Sequence, residues 1–215
     1  MRAPADDSVN LSAEPPFPPD GAKKSRVRGA LLKLRPVTAV LGAAAAIFFA
    51  QPRAPWLGLG AVLVVAGEGL RFWAAGYGNR RTRGTPAPEK GPFPTAGPYG
   101  WVRNPDHIGG VAIAAGLTLW AGGLLPWLPL VAVAFFAWQY SFAQSARDRD
   151  LERRFDWDYR AYRGTVPIWL PRLAPRPLGR GGRWRVGVAV RREIPVFVII
   201  AGVAAAALLR IRLTG

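Results

Sequence analysis

No cysteine occurs in the 215 residues, and histidine and methionine each occur once. Without thiols there is no disulfide framework and no thiolate metal site, and the single His107 excludes a His-rich metal centre, so no metal is expected. Acidic residues are scarce: 13 Asp and Glu face 29 Lys and Arg, a net charge of +16. Such an excess needs a polyanion or an anionic membrane surface as its neighbour. There is no Walker loop and no internal repeat. Residues 1–28 lack an apolar run behind their first charges, so they do not read as a cleaved signal peptide. This stretch is polar and Pro-rich, and it is expected to be a disordered tail.

What the chain has is long apolar blocks separated by arginine. They cover residues 36–50, 56–77, 108–125, 126–143 and 194–209. At 1.5 Å of rise per residue, roughly 20 residues cross a bilayer core. The middle three blocks meet that length. The first and last need flanking residues such as Leu31 and Leu32, or residues 186–190. The expected fold is therefore all-α: a polytopic membrane helical bundle of about five transmembrane helices, with a cytoplasmic loop and an amphipathic helix. Turns fall at QPRAP (51–55) and at Gly122-Gly123 to Pro126. Only the second span carries charge inside it, Glu68 and Arg71, which argues against an ion path.

Lys and Arg fall unevenly between the blocks. Residues 1–35, 78–107 and 144–192 together hold 25 of them, and the opposite connections hold only Arg53, Arg210 and Arg212. The positive-inside rule then places the amino terminus and both long loops in the cytoplasm. Since this rule accounts for the charge, no nucleic-acid partner is expected. Arginines in residues 171–192 are expected to meet anionic lipid headgroups.

Three segments bring polar groups to the membrane helices. Glu68 and Arg71 lie three apart and share a helix face, and Gly67 and Gly69 beside them permit close approach by a neighbouring helix or a ligand. The loop GPYGWVRNPDHIGG (97–110) enters the third helix. There Asn104 or Asp106 is placed to cap a helix starting near His107, Arg103 adds a charge, and Tyr99 and Trp101 offer ring faces. In residues 145–173, Asp148, Leu151, Phe155, Tyr159 and Tyr162 recur at three- and four-residue steps, which predicts an amphipathic helix.

The last two segments resemble the integral-membrane methyltransferases of the isoprenylcysteine carboxyl methyltransferase kind, a group that includes phospholipid and small-thiol methyltransferases. The family pattern runs roughly GPY-x-x-VRHP-x-Y-x-G, then a helical hairpin, then EE-x-x-L-x-x-x-F-x-x-x-Y-x-x-Y-x-x-x-VP. This chain has GPYGWVRNPDHIG (97–109), and after the hairpin Leu151, Phe155, Tyr159, Tyr162, Val166 and Pro167 in register. GEGLRFWAAGY (67–77) looks like the preceding family helix. The resemblance covers about residues 56–173. The family His falls on Asn104, its Tyr on His107, its glutamate pair on Arg147 and Asp148, and an upstream Arg on Ser145.

The resemblance implies an S-adenosylmethionine-dependent methyltransferase, a multi-pass protein of a bacterial inner membrane. It implies a cytoplasmic cofactor pocket and a lipophilic or small acceptor, whether carboxylate, amine or thiol. The implied cofactor-binding residues are Pro98, Tyr99, Val102, Arg103, Asn104, Pro105, His107, Gly109 and Asp148. The catalytic candidates are His107, as a base for an amine or thiol acceptor, with Asp148 and Glu68. The expected organisation is a tail over 1–28, a methyltransferase-like core over 29–173, and a basic linker with a last membrane helix over 174–215. A relative that keeps the fold but lacks catalysis, serving as a membrane scaffold or lipid-binding protein, is the alternative.

Overall fold

A computed structural model describes residues 35–51, 53–77, 95–176 and 183–214. The regular elements among them are helices, with no strand: α1 (Arg35–Phe48), α2 (Ala54–Tyr77), a 3₁₀ turn (Gly97–Gly100), α3 (Pro105–Ala121), α4 (Trp127–Thr165) and α5 (Val186–Thr214). The expected tail over 1–28, the start of the core over 29–34 and part of the basic linker lie outside the described residues.

Two helices are long and apolar enough to cross a membrane: α2 over Pro55–Tyr77 and α5 over Val186–Arg210. Only 28 % and 17 % of these stretches are buried, whereas a soluble core helix would be mostly covered. Val62, Val65, Phe197, Val198, Leu208 and Leu209 are exposed along them. The last block reaches full length by taking in residues 186–190, as its shortness required. Block 108–125 is cut shorter than its composition suggested. Gly122 adopts a left-handed conformation (φ 70°) and caps α3 at 17 residues, its N–H donating to the Thr118 carbonyl.

The antiparallel pair α2 and α3 forms the centre, held by two glycine pairs. A methyl group placed on Gly60 would lie 2.6 Å from the Gly116 carbonyl oxygen, and one on Gly67 would lie 2.7 Å from that of Gly109. The partners repeat every seven residues, two helical turns, so both contacts fall on one face and bring the backbones together. Gly69 faces open space. α4 packs on α3, and α5 packs on α2.

The helix ends sort into two groups. At one end, the Gln51 N–H donates to the Ala121 carbonyl (2.7 Å), and Arg210 Nη1 donates to the Ile47 carbonyl (2.6 Å). At the other end, Arg71 Nη1 donates to the Asp106 carbonyl (3.3 Å), the Arg185 N–H to the Gly76 carbonyl (3.1 Å), and Trp184 Nε1 to the Trp73 carbonyl (3.2 Å). The bond to Gly76 satisfies a carbonyl that the end of α2 leaves without a helical partner.

The amphipathic helix expected over 145–173 is not a separate element. Its first part continues the apolar part of α4, the helix is broken at the non-helical Asp156 (φ 37°, ψ −109°), and a second helical part follows and ends at Thr165. The expected inward face holds: Tyr159, Tyr162 and Val166 are buried, with Leu151 and Phe155 packed against them.

Candidate functional site

The candidate site lies where α2 ends and α3 and α5 begin. The chain enters it through the 3₁₀ turn. Gly97 has φ 61°, and a side chain there would also strike the Tyr77 ring, so glycine is required. The loop that follows is fastened to the chain beyond α4 by backbone bonds. The Arg103 N–H donates to the Pro167 carbonyl (2.8 Å), the Arg172 N–H to the Trp101 carbonyl (2.9 Å), and the Arg176 N–H to the Gly100 carbonyl (3.0 Å). The Tyr162 hydroxyl donates to the Tyr99 carbonyl (2.9 Å). The GPY and VP motifs thus meet in space although a hairpin separates them.

Asp148 is the hub of this junction. Arg103 Nη1 donates to its Oδ2 at 3.3 Å, and Gln144 Nε2 and the Tyr159 hydroxyl both donate to its Oδ1. Arg103, Asp148, Gln144 and Tyr159 are all at most 9 % exposed. Burial, then the hydrogen bond to Asp148 and its negative charge, push the Tyr159 phenol well above its ordinary pKa. Burial does the same for Tyr162.

Two hollows open here. The first is lined by Arg71, Ala75, Tyr99, Asp106, Arg147, Arg192 and Glu193. The second is lined by Tyr99, Arg103, Asn104, Gln144, Arg147, Leu151, Tyr159 and Tyr162. Tyr99 and Arg147 stand in the walls of both. Around the second hollow, Arg103 Nε, Asn104 Nδ2 and Gln144 Oε1 are buried without a hydrogen-bond partner among the described residues. Such atoms are costly to bury unless a ligand or water completes them.

Of the residues expected to bind a cofactor, Tyr99, Arg103 and Asn104 line the second hollow, and Asp148 supports it through Arg103. Pro98, Val102 and Pro105 are buried in the loop and shape it. Gly109 lines neither hollow: its α-carbon faces the Gly67 carbonyl and the Arg71 stem, where α2 and α3 cross. Asn104 takes the N-cap position of α3, yet its side chain makes no capping bond, and Asp106 falls inside the first turn rather than at the cap.

The catalytic candidates are also redistributed. His107 lines neither hollow; its ring stacks on Tyr140 (centroids 4.5 Å, planes 7° apart), with Nε2 4.0 Å from Asp106 Oδ2. Glu68 pairs with Arg71 as its spacing indicated, at 3.6 Å, without a hydrogen bond and outside both linings. The closer partner of Arg71 is Glu193, whose Oε2 accepts from Nη2 at 2.7 Å and from Nε at 3.1 Å.

Glu193 is 1 % exposed, and sequence reasoning passed over it by starting the last apolar block at Ile194. The expectation that only the second span carries interior charge is therefore corrected, because α5 buries Glu193 against Arg71. A signal was present: Glu193 is the only acidic residue after Asp158. Arg192, likewise unassigned, donates from Nη1 to the Ala75 carbonyl (3.4 Å) and lines the first hollow. The last helix is thus part of the site wall. Burial disfavours charge on Arg147, but the Asp106 carboxylate and the Tyr99, Tyr159 and Tyr162 phenols raise its pKa above the ordinary guanidinium value.

Among the described residues, no cluster of His, Asp and Glu could hold a metal ion. Compared with protein-family models, curated protein sequences and solved structures, the chain matches none of them.

Proposed function

We propose that this chain is a multi-pass integral membrane methyltransferase that uses S-adenosylmethionine at the cytoplasmic face, with about five membrane spans and a cytoplasmic amino terminus. The observation that carries this reading is the second hollow. Two segments separated by a hairpin close around it, and two buried donors and one buried acceptor there lack partners. Arg103 Nε and Asn104 Nδ2 suit a carboxylate, and Gln144 Oε1 suits an ammonium or ribose hydroxyl. S-adenosylmethionine carries these groups and, when bound, supplies a sulfonium methyl for in-line transfer.

The remaining roles belong to the chain. Asp148 fixes Arg103, Gln144 and Tyr159 in place. Tyr99 lines both the cofactor hollow and the neighbouring one, where an acceptor would lie. Glu68 and Glu193 hold Arg71, and so the end of α2, against α3 and α5. Alignment of this kind supplies much of the rate of a displacement reaction. With His107 stacked on Tyr140, an acceptor that arrives already anionic, which needs no base, suits the site better than an amine.

The exposed apolar faces of α2 and α5 support the membrane setting. Support for its sidedness comes from Arg103, Arg147, Arg172, Arg185 and Arg192 lying at the site end, against Arg53 and Arg210 at the other. Calorimetric titration of the purified protein with S-adenosylmethionine tests the proposal. Micromolar binding is expected, weakened by Arg103→Ala, Asn104→Ala and Asp148→Ala. No heat in several detergents and nanodiscs, or unchanged binding across all three variants, refutes it.

A further inference from the structure

The chain beyond α4 turns back along that helix. It leaves α4 at Thr165 and runs irregularly through VPIWLPRL (166–173), where Trp169 Nε1 donates to the Ser141 hydroxyl oxygen at 3.2 Å. Ser141 belongs to an outward stripe of α4. Trp127, Val131, Ala134, Trp138 and Ser141 follow one another at steps of four and three, so they share a face, and all five are exposed. Trp169 therefore sits on the side of α4 that an enclosing bilayer would touch. Its depth follows from helix lengths. On α2, the exposed Trp56 and Trp73 are 17 residues apart, about 26 Å at 1.5 Å per residue, close to the thickness of a bilayer core. Tryptophan collects at both edges of such a core. On α4, Trp127 and Ser141 are 14 residues apart, about 21 Å, which puts Trp169 at the inner edge of the apolar band. Beside it, Leu170 is 79 % exposed and Leu173 is fully exposed. The backbone suits the same place. Residues 167, 171 and 175 are prolines without an N–H, and the Arg172 and Arg176 N–H groups are spent on the Trp101 and Gly100 carbonyls. Few backbone donors are left for lipid to strip of water.

We infer that residues 168–173 are an interfacial anchor whose Trp169, Leu170 and Leu173 side chains enter the cytoplasmic leaflet of the bilayer beside α4. The partner is the lipid surface, because the segment prolongs the exposed apolar stripe of α4 at the level where that stripe ends. The anchor is bonded to the site loop on both flanks. The Arg103 N–H donates to the Pro167 carbonyl ahead of it, and the Arg172 N–H donates to the Trp101 carbonyl within it. Lipid that holds the leucines thus sets the height of the loop over 97–104, which forms one wall of the second hollow. The inference rests on the membrane setting proposed above and is independent of what either hollow binds.

The absence of cysteine makes the test direct. Single variants Leu170→Cys, Leu173→Cys, Val65→Cys, Val198→Cys and Trp157→Cys of the full chain each carry one nitroxide label. They are placed in nanodiscs of phosphatidylcholine and phosphatidylglycerol. Power-saturation EPR then compares collisions with oxygen, which concentrates in lipid, and with a water-soluble nickel chelate. Val65 and Val198 are exposed on the spans α2 and α5 and report lipid, whereas Trp157, 74 % exposed just past the break at Asp156, reports water. The oxygen-to-nickel ratio should exceed one at 170 and 173, approaching that at 65 and 198, and should fall below one at 157. Ratios at 170 and 173 equal to that at 157 overturn the anchor and leave the membrane setting intact. Few collisions with either reagent at 170 and 173 also overturn it, since protein then covers the leucines. Water-like ratios at 65 and 198 overturn the membrane setting and the anchor with it. Thermal unfolding against the parent shows whether each labelled variant is folded, and either leucine position carries the comparison if the other label disturbs the fold.

Discussion

Arg103 and Asp148, 45 residues apart in the chain and on opposite sides of a helical hairpin, form a buried ion pair with Nη1 3.3 Å from Oδ2. The pair joins the loop before α3 to the far part of α4 and closes one wall of the hollow proposed for the cofactor. Asp148 accepts from three side chains at once, so its role is to position Arg103, Gln144 and Tyr159.

Removing the carboxylate from this pair should be expensive. Asp148→Ala leaves a buried guanidinium without its counter-charge, which typically costs about 3–5 kcal/mol. The double variant with Arg103→Ala should cost less than the sum of the single ones by about 1 kcal/mol or more. Thermal or chemical unfolding in detergent measures both. Strict additivity would show that the two residues act independently.

Glu193 and Glu68 both face Arg71, but they are not equivalent. Glu193 accepts two hydrogen bonds from the guanidinium, and Glu68 accepts none. Glu193→Ala should therefore destabilise the protein by about 1.5–3 kcal/mol more than Glu68→Ala, the value of hydrogen bonds to a charged partner. Equal losses in unfolding experiments would contradict this ranking.

The glycine pairs allow a paired comparison. Gly67→Ala puts a methyl 2.7 Å from the Gly109 carbonyl oxygen, and the helices must part. A loss of about 1–3 kcal/mol is expected from such overpacking. Gly69→Ala, two residues on, meets nothing within 4 Å. It should be neutral or stabilising by up to about 1 kcal/mol through helix propensity. Comparing the melting temperatures of the two variants decides the matter.

The buried phenols give the protein an alkaline limit. Tyr159 is raised in the folded state by burial and by Asp148, above an ordinary value near 10. A folded pKa above the unfolded one means that its contribution is complete below pH 10 and is lost as pH rises beyond it. Between roughly pH 10 and 11, stability should fall by up to about 1.4 kcal/mol per pH unit for each such tyrosine. Tyr159→Phe should make the decline shallower even though it removes a bond to Asp148 at neutral pH. The same slope in both proteins would exclude Tyr159 as the source.

Much of the fold is legible in local pattern. Apolar blocks place the helices, Gly122 stops α3, and the step of three between Glu68 and Arg71 puts them on one face, because each depends on neighbours within a few residues. Three features were beyond such reasoning. Glu193 lies 122 residues from Arg71, and no local periodicity connects them. His107 was a sensible candidate base by type and position, yet the path of α4 lays Tyr140 across its ring. Gly109 looks like a loop glycine in the motif, but the crossing of α2 and α3 uses its missing side chain.

The amino-acid sequence by itself determined where apolar helices form, where they stop and how charge divides between their ends, since hydropathy, glycine conformation and helix period act over short distances. Which polar groups meet was decided only by tertiary packing. The buried triad of Arg71 with its two glutamates, the hub at Asp148 and the backbone bonds that fasten the loop before α3 to the chain beyond α4 all join residues far apart in the chain. Burial turns those meetings into strong interactions, because away from water a charge must find its partner inside the protein or in a ligand.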